Sequence, residues 1–272
     1  MNKEQIQNGE IGIQEKLVGI LNKNNKRRIS RFILSALSSI PWVGGFLSAS
    51  ASLQAENDQS KVTEIQRLWL LEHQEKIEKL AETIYGIIKR LESFDSKVED
   101  RMESPEYQDL IKKGFRVWDN SDTDYKRDLI KNLITNSGAS FLCTDDVIRL
   151  FIDWINTYHE AHFYVIKEIY QSQGITREQI WDRIRGSRPR EDSAEADLFK
   201  MLVRDLSMGG VIRQFRETNY NGEYLKKPHR SSSHTTGVMK SAFDNEEQYE
   251  LTELGKQFVH YTMTDVAPQL GT

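Results

Sequence analysis

Two histidines and a glutamate stand together in "YHEAHF": His159, Glu160 and His162. A helical zinc pair needs histidines four residues apart, so that both imidazoles leave one face with a glutamate between them as base. Here the spacing is three. His162 also falls near an apolar stripe, where a hydrogen-bonded packing histidine is the simpler reading. The carboxylates of "DTDYKRD" and "CTDD" sit where helix N-termini favour acids. No Gly-rich phosphate loop precedes a Lys-Ser/Thr pair, and no nucleophile elbow is present. "WVGGF" is too short and apolar to cradle phosphate. The sequence therefore points to no catalytic residue, no metal ligand and no cofactor, and a non-enzymatic protein is expected.

A second kind of chemistry, cation against phosphate, has better support. The chain carries a net charge of −4, which argues against general polyanion binding. Yet Gly174 to Phe243 holds 13 Lys/Arg against 9 Asp/Glu, a local +4 that leaves −8 elsewhere. Arg183, Arg185, Arg188 and Arg190 flank the turn before a helix that begins after Ser193. Lys200 and Arg204, four apart, share a face of that helix. The following polar stretch, Asn219 to Ala242, carries Lys226, Lys227, His229, Arg230 and Lys240 among Ser, Thr and Gly. A nucleic-acid surface would draw on Arg185, Arg188, Arg190, Lys200, Arg204, Lys226, Lys227 and Arg230. Against it, the same helix bears Glu195, Asp197 and Asp205, and no Asn or Gln for adenine readout. Protein contact, with the charges merely solvated, is the alternative.

The elements that position these residues can be read in order. "ITREQIWDRI" is a short helix with Thr176 as cap, and "RGSRPR" is a loop. "SAEADLFKMLVRDLSMGG" is a helix capped by Ser193 that ends at a Gly pair able to take left-handed geometry. "VIRQFRE" alternates as a strand, and "YELTELGKQFVHYTM" supplies a short strand and a closing helix. The stretch between the two strands exceeds the usual length of an ordered loop, which marks a functional or disordered segment. This grammar resembles a winged-helix domain over Trp154 to Met263, on the residues "LSMGGVI" (Leu206 to Ile212) and "YELTELGKQF" (Tyr249 to Phe258). The resemblance implies a helix placed in the DNA major groove and a wing on the backbone.

The N-terminal half reads as helical. Glu10 to Leu21 is a short amphipathic helix, followed by the basic "NKNNKRRISR". Ile77, Leu80, Ile84, Ile87, Leu91, Phe94 and Val98 alternate in steps of three and four, a heptad seam that suits an intramolecular bundle or a parallel dimer. "SPEY" stops this helix, and Pro105 is tolerated in the first turn of the next. Helices follow over Glu106 to Trp118 and Thr123 to Asn136, then a long one from Asp145 to Gln171.

Between these segments Phe32 to Leu53 runs for 22 residues without a charge, in a chain that is 29% charged. That length suffices to span about 30 Å of hydrocarbon. Only 13 of the residues are apolar, however, and six are Ser, two Gly and one Pro. The basic flank before it and the acidic flank after it would place the N-terminus inside and export the C-terminal domain. Pro41, Gly44 and Gly45 instead predict a break into two short helices, and Gly44, Ser48 and Ser52 make a smooth face for close helix approach. The hairpin residues Phe32, Leu37, Pro41, Trp42, Gly44, Gly45, Phe46 and Leu53 are thus candidates for a buried core, an oligomer contact or a membrane-interface insertion.

The expected fold class is mainly α: an N-terminal helical bundle with a long coiled-coil-like helix, plus a C-terminal winged-helix (α+β) domain. The expected segments are 1–31 (helix and basic linker), 32–56 (apolar hairpin), 57–145 (bundle) and 146–272 (winged-helix-like). Mean hydropathy of −0.61 fits a soluble protein. The lone Cys143 excludes an internal disulfide framework and suits a reducing compartment. Glu4, Glu10 and Glu15 ahead of the apolar run argue against a secretory signal, so a cytoplasmic location is expected, with peripheral association at the inner membrane as an option. The arrangement loosely resembles uncharacterised bacterial helical regulators and effectors, including some in phage defence. The expected partners are nucleic acid, a membrane surface, and a second copy or another protein. Three readings stay open: a regulator that binds nucleic acid or a partner protein, a membrane-disrupting effector, and a dimeric transcriptional regulator.

Overall fold

A computed structural model describes residues 39–43, 75, 76, 78–91, 97–140, 142–225 and 241–264. The predicted helix at Glu10 to Leu21 lies outside them, as do Phe32, Leu37, Gly44, Gly45, Phe46 and Leu53 of the hairpin and Lys226, Lys227 and Arg230 of the polar stretch. The protein is mainly helical with one small three-stranded antiparallel sheet. It divides into two compact units, the change falling between Thr157 and Tyr158.

In the N-terminal unit, helix α1 covers 78–91. It is followed by α2 (Lys97–Glu103), α3 (Pro105–Asn120), α4 (Asp124–Ala139) and α5 (Asp145–Thr157). The seam residues Leu80, Ile84, Ile87 and Leu91 are all buried, which places them in this unit's own core. Ile77 and Phe94 lie outside the described residues. Helix α3 starts as its sequence dictates: the Ser104 hydroxyl accepts from the Tyr107 amide at 3.3 Å, and Pro105 fills the first turn. Its inward face is Tyr107, Leu110, Ile111, Phe115 and Trp118, and it packs on α4 and α5.

Three polar ties fix this packing. The Trp118 indole, wholly buried, donates to Thr83 Oγ1 on α1 at 3.1 Å. The Tyr107 hydroxyl donates to the Ile134 carbonyl on α4 at 2.7 Å. Arg101 on α2 holds both carboxylate oxygens of Asp145, the first residue of α5, and its guanidinium lies 5.0 Å from the Tyr107 ring centre.

The described centre of the uncharged stretch also belongs to this unit. Ser39 and Ile40 are not helical and residues 41–43 are, so no continuous helix runs through Phe32 to Leu53. Ile40 is fully buried. The Trp42 indole donates to Asp119 at 2.6 Å, Lys76 pairs with the same carboxylate, and the Ser39 hydroxyl donates to the Lys112 carbonyl. Among the described residues, no helix is long and apolar enough to cross a membrane.

In the C-terminal unit the order is α6 (Glu160–Gln171), β1 (Ile175–Thr176), α7 (Arg177–Ile184), α8 (Ala194–Met208), β2 (Ile212–Gln214), β3 (Gln248–Leu251) and α9 (Glu253–Thr262). The strand order is β1-β3-β2, with Ile175 opposite Tyr249 and Ile212 opposite Leu251. The single helix expected from Asp145 to Gln171 is interrupted at Tyr158 and His159, between α5 and α6. The cause is local. The His159 amide donates to His162 Nδ1 at 3.1 Å, so the imidazole caps a new helix and the backbone leaves the old one. The predicted caps Thr176 and Ser193 both accept hydrogen bonds from first-turn amides. The expected strand "VIRQFRE" is shorter than its alternation suggests: it ends at Gln214, and Phe215 is 44% exposed.

The two motifs that carry the resemblance meet at one point. Gly209 and Gly210 end α8, Gly210 with a φ of +72°, and the chain enters β2 at Val211. The Val211 carbonyl accepts from the Thr252 amide at 3.0 Å, and the Thr252 hydroxyl donates to the Gly210 carbonyl at 2.7 Å. The same hydroxyl accepts from the Gly255 amide, capping α9. A Cβ on Gly255 would lie 2.2 Å from the Val211 carbonyl oxygen.

Two stability outcomes follow from this packing. Gly255→Ala gains up to about 1 kcal/mol of helix propensity, yet it must displace backbone at a cost of about 2–3 kcal/mol. Net loss is therefore expected in urea or thermal unfolding, and an unchanged or raised midpoint would contradict it. Asp145→Asn is expected to cost about 2 kcal/mol in the same unfolding measurement, because it removes the carboxylate charge that the largely buried Arg101 guanidinium holds through both oxygens.

Candidate anion-binding groove

Four arginines, from positions 177, 204, 213 and 216, converge beside the end of α8. Arg177 comes from the start of α7, Arg204 from the exposed face of α8, Arg213 from β2 and Arg216 from just past that strand. With Ser207, Met208, Ile212, Gln214, Tyr224 and Tyr249 they line a groove of about 510 Å³, and no carboxylate is among its lining residues. Thr176, by capping α7, sets the position of Arg177. The Phe215 amide donates to the Gln248 carbonyl at 2.8 Å, which keeps the chain alongside β3 up to Arg216.

The charges in this groove are unequally engaged. Arg177 lies against the buried Tyr249 ring and donates to its hydroxyl, a neutral partner, at 2.8 Å. Arg213 donates to Glu250 at 2.7 Å, and this bond pushes the guanidinium pKa further above its ordinary value. Its charge centre also sits 5.8 Å from the Tyr224 ring centre. Arg204 touches Asp205 at 3.4 Å, and the exposed Arg216 forms no ion pair among the described residues. Glu250 and Asp205 offset two of the four guanidinium charges, and the C-terminal end of α8 contributes about −0.5 of an elementary charge, so the groove keeps a positive excess.

The residues expected from sequence are dispersed. Arg185 and Arg188 line a different groove of about 840 Å³, between α6, α7 and α8, whose wall includes Glu168 and Glu195. Arg188 is held by Asp182 and Glu178, Arg190 by Asp192, and Lys200 by Glu191 and Asp197. Of the five expected cations that are described, only Arg204 reaches the arginine groove.

Sequence reasoning missed Arg177, Arg213 and Arg216 for a physical reason. Arg213 and Arg216 are three apart, so a continuing strand would set them on opposite faces. Arg216 lies past the end of β2 at Gln214, outside the strand's alternation, and both reach one groove. The local signal was the pair of arginines in "VIRQFRE".

The histidines of "YHEAHF" have a structural role. His162 is 2% exposed and its ring stacks on Tyr158 with centres 5.0 Å apart. With Nδ1 accepting from the His159 amide, the proton resides on Nε2, which has no hydrogen-bond partner and stands 3.8 Å from Asp205. Burial holds this imidazole below its ordinary pKa, against the smaller opposing pull of the His159 backbone and Asp205. Among the described residues, no group of three or more His, Cys, Asp or Glu is placed to hold a metal ion.

No protein-family model, no curated protein and no solved structure matches the chain. What the fold defines is a mainly helical protein with a small antiparallel sheet.

The pH dependence has a definite sign. Above the ordinary value of 6.5, His162 is neutral in both folded and unfolded chains and costs nothing. As the pH falls below it, the unfolded chain takes up a proton that the buried ring resists, so stability is lost until the folded value is passed. Thermal unfolding followed from pH 7.5 to 5 should show this loss, and His162→Gln should flatten it. An equal slope in the variant would refute the assignment.

Proposed function

We propose that the C-terminal unit is a winged-helix module that holds nucleic acid by its phosphates, within a non-enzymatic regulator or effector. The observation that carries this reading is the groove with four arginines and no lining carboxylate. Guanidinium groups bind phosphate oxygens in bidentate fashion, and each neutralised phosphate releases a counterion. The winged-helix part is supported by the order helix, strand, helix, helix, strand, strand, helix and by the β1-β3-β2 sheet with β3 central.

The proposed contact lies at the C-terminal half of α8, on Arg204, and on β2, not along the whole helix. The first turn of α8 carries Glu195 and Asp197, which would repel a backbone. The exposed and half-exposed positions of this helix include Lys200, Met201, Arg204 and Met208 but no Asn or Gln. Backbone contact without base-edge readout is the mode that suits this surface.

Fluorescence anisotropy with labelled oligonucleotides over a salt series tests the reading. Binding should weaken linearly in log salt, and Arg204→Gln with Arg216→Gln should reduce the slope by about two, near one per lost phosphate contact. Arg190→Gln, outside the groove, should leave the slope unchanged. Absence of binding at low salt, or a slope indifferent to the double variant, overturns it.

A further inference from the structure

The chain just beyond the groove forms a small ordered hairpin. Thr218 bridges Tyr224, the Leu225 amide donates to the Glu217 carbonyl at 2.8 Å, and the Asn219 amide donates to that of Glu223 at 2.9 Å. The turn closes on Gly222, whose φ of +81° is left-handed, with the Asn219 side chain accepting from the Asn221 and Glu223 amides. A segment so well bonded presents its side chains in fixed places.

What it presents is aromatic. Tyr220 is 97% exposed, Tyr224 49% and Phe215, at the hairpin's base, 44%, with Met208 nearby on the groove wall at 81%. Tyr224 both lines the groove and lies beneath the Arg213 guanidinium. The only charges on residues 217–225 are the carboxylates of Glu217 and Glu223. The groove carries the arginines, the hairpin carries rings and two carboxylates, and Tyr224 belongs to both. Glu217 and Glu223 disfavour a phosphate backbone along residues 217–225 themselves. Unpaired bases, each with an exposed π-face, have a use for the rings that a stacked duplex has not.

We infer that the nucleic acid taken by this module is single-stranded, its phosphates in the arginine groove and its bases stacked on Tyr220, Tyr224 and Phe215. This deepens the preceding proposal and rests on it. Base-on-aromatic stacking adds to affinity without adding to salt dependence, because no counterion is released by it. Arginine and tyrosine variants should thus act on different observables.

The test compares a labelled single strand of about 15 nucleotides, long enough for one module, with the duplex of the same sequence. The single strand is expected to bind at least tenfold more tightly. Tyr220→Ala and Tyr224→Ala should each weaken it about tenfold with the salt slope unchanged, and Tyr224→Trp should restore it. Circular dichroism of each variant confirms that the fold persists. Equal or tighter duplex binding overturns the inference while leaving the phosphate reading intact. So does single-strand binding that survives both tyrosine changes but is lost on Arg204→Gln with Arg216→Gln. Failure of both nucleic acids to bind removes both proposals together.

Discussion

The C-terminal unit depends on one backbone carbonyl. Val211 O lies at the seam where α8 ends and β2 begins, and the end of β3 and the start of α9 close on it. It accepts from the Thr252 amide, while the Thr252 hydroxyl spans the Gly210 carbonyl and the Gly255 amide. Every orphan donor at the start of α9 that this junction satisfies also pins β2 against β3. The junction requires Gly210 for its positive φ and Gly255 for the approach of a helix to bare backbone. The register Ile212 to Leu251 and Gln214 to Tyr249 follows from it. Arg213 is thereby set beside Glu250, and Tyr249 below Arg177.

That junction explains why part of the fold was legible in the sequence. Helix caps are local chemistry: Ser104, Thr176 and Ser193 act within three residues of themselves, and each does what its type predicts. The apolar seam of α1 was equally legible, although its periodicity alone left intramolecular packing and dimerisation open. The break at Tyr158–His159 was not legible, because it depends on a side chain capping from the far side of the break; the apolar stripe runs through it unbroken. Strand β1, two residues long, has no period to detect. It exists because Gly174, at a φ of +73°, turns the chain onto β3.

The groove was the least legible part, for an electrostatic reason. A local excess of cations was read as a surface, but exposed cations within a few residues of carboxylates pair with them. Arg188 with Asp182 and Arg190 with Asp192 are such cases, each bidentate and close in sequence. The groove arginines come from separate elements at positions 177, 204, 213 and 216. Charge density along a chain therefore does not say which cations meet: Arg204 and Arg213 also touch acids, Asp205 and Glu250, yet the fold brings them to one groove with Arg177 and Arg216.

The same distinction between local pattern and tertiary use applies to the uncharged stretch near the N-terminus. By length it satisfies a membrane span; by structure one residue of its described centre, Ile40, is core, while Pro41 is exposed and Ser39, Trp42 and Val43 are half-buried. Full burial of an isoleucine such as Ile40 is worth roughly 1.5–3 kcal/mol relative to exposure, and the Trp42 indole finds a carboxylate already neutralised by Lys76. Exposing this turn to any apolar phase would return the Ile40 contribution but separate Asp119 and Lys76 from the indole that both contact. A charged side chain at Ile40 would be buried without a partner, at several kcal/mol. At this position the absence of charge has a sufficient cause in the packing of the N-terminal unit, and a lipid environment is not needed to account for it.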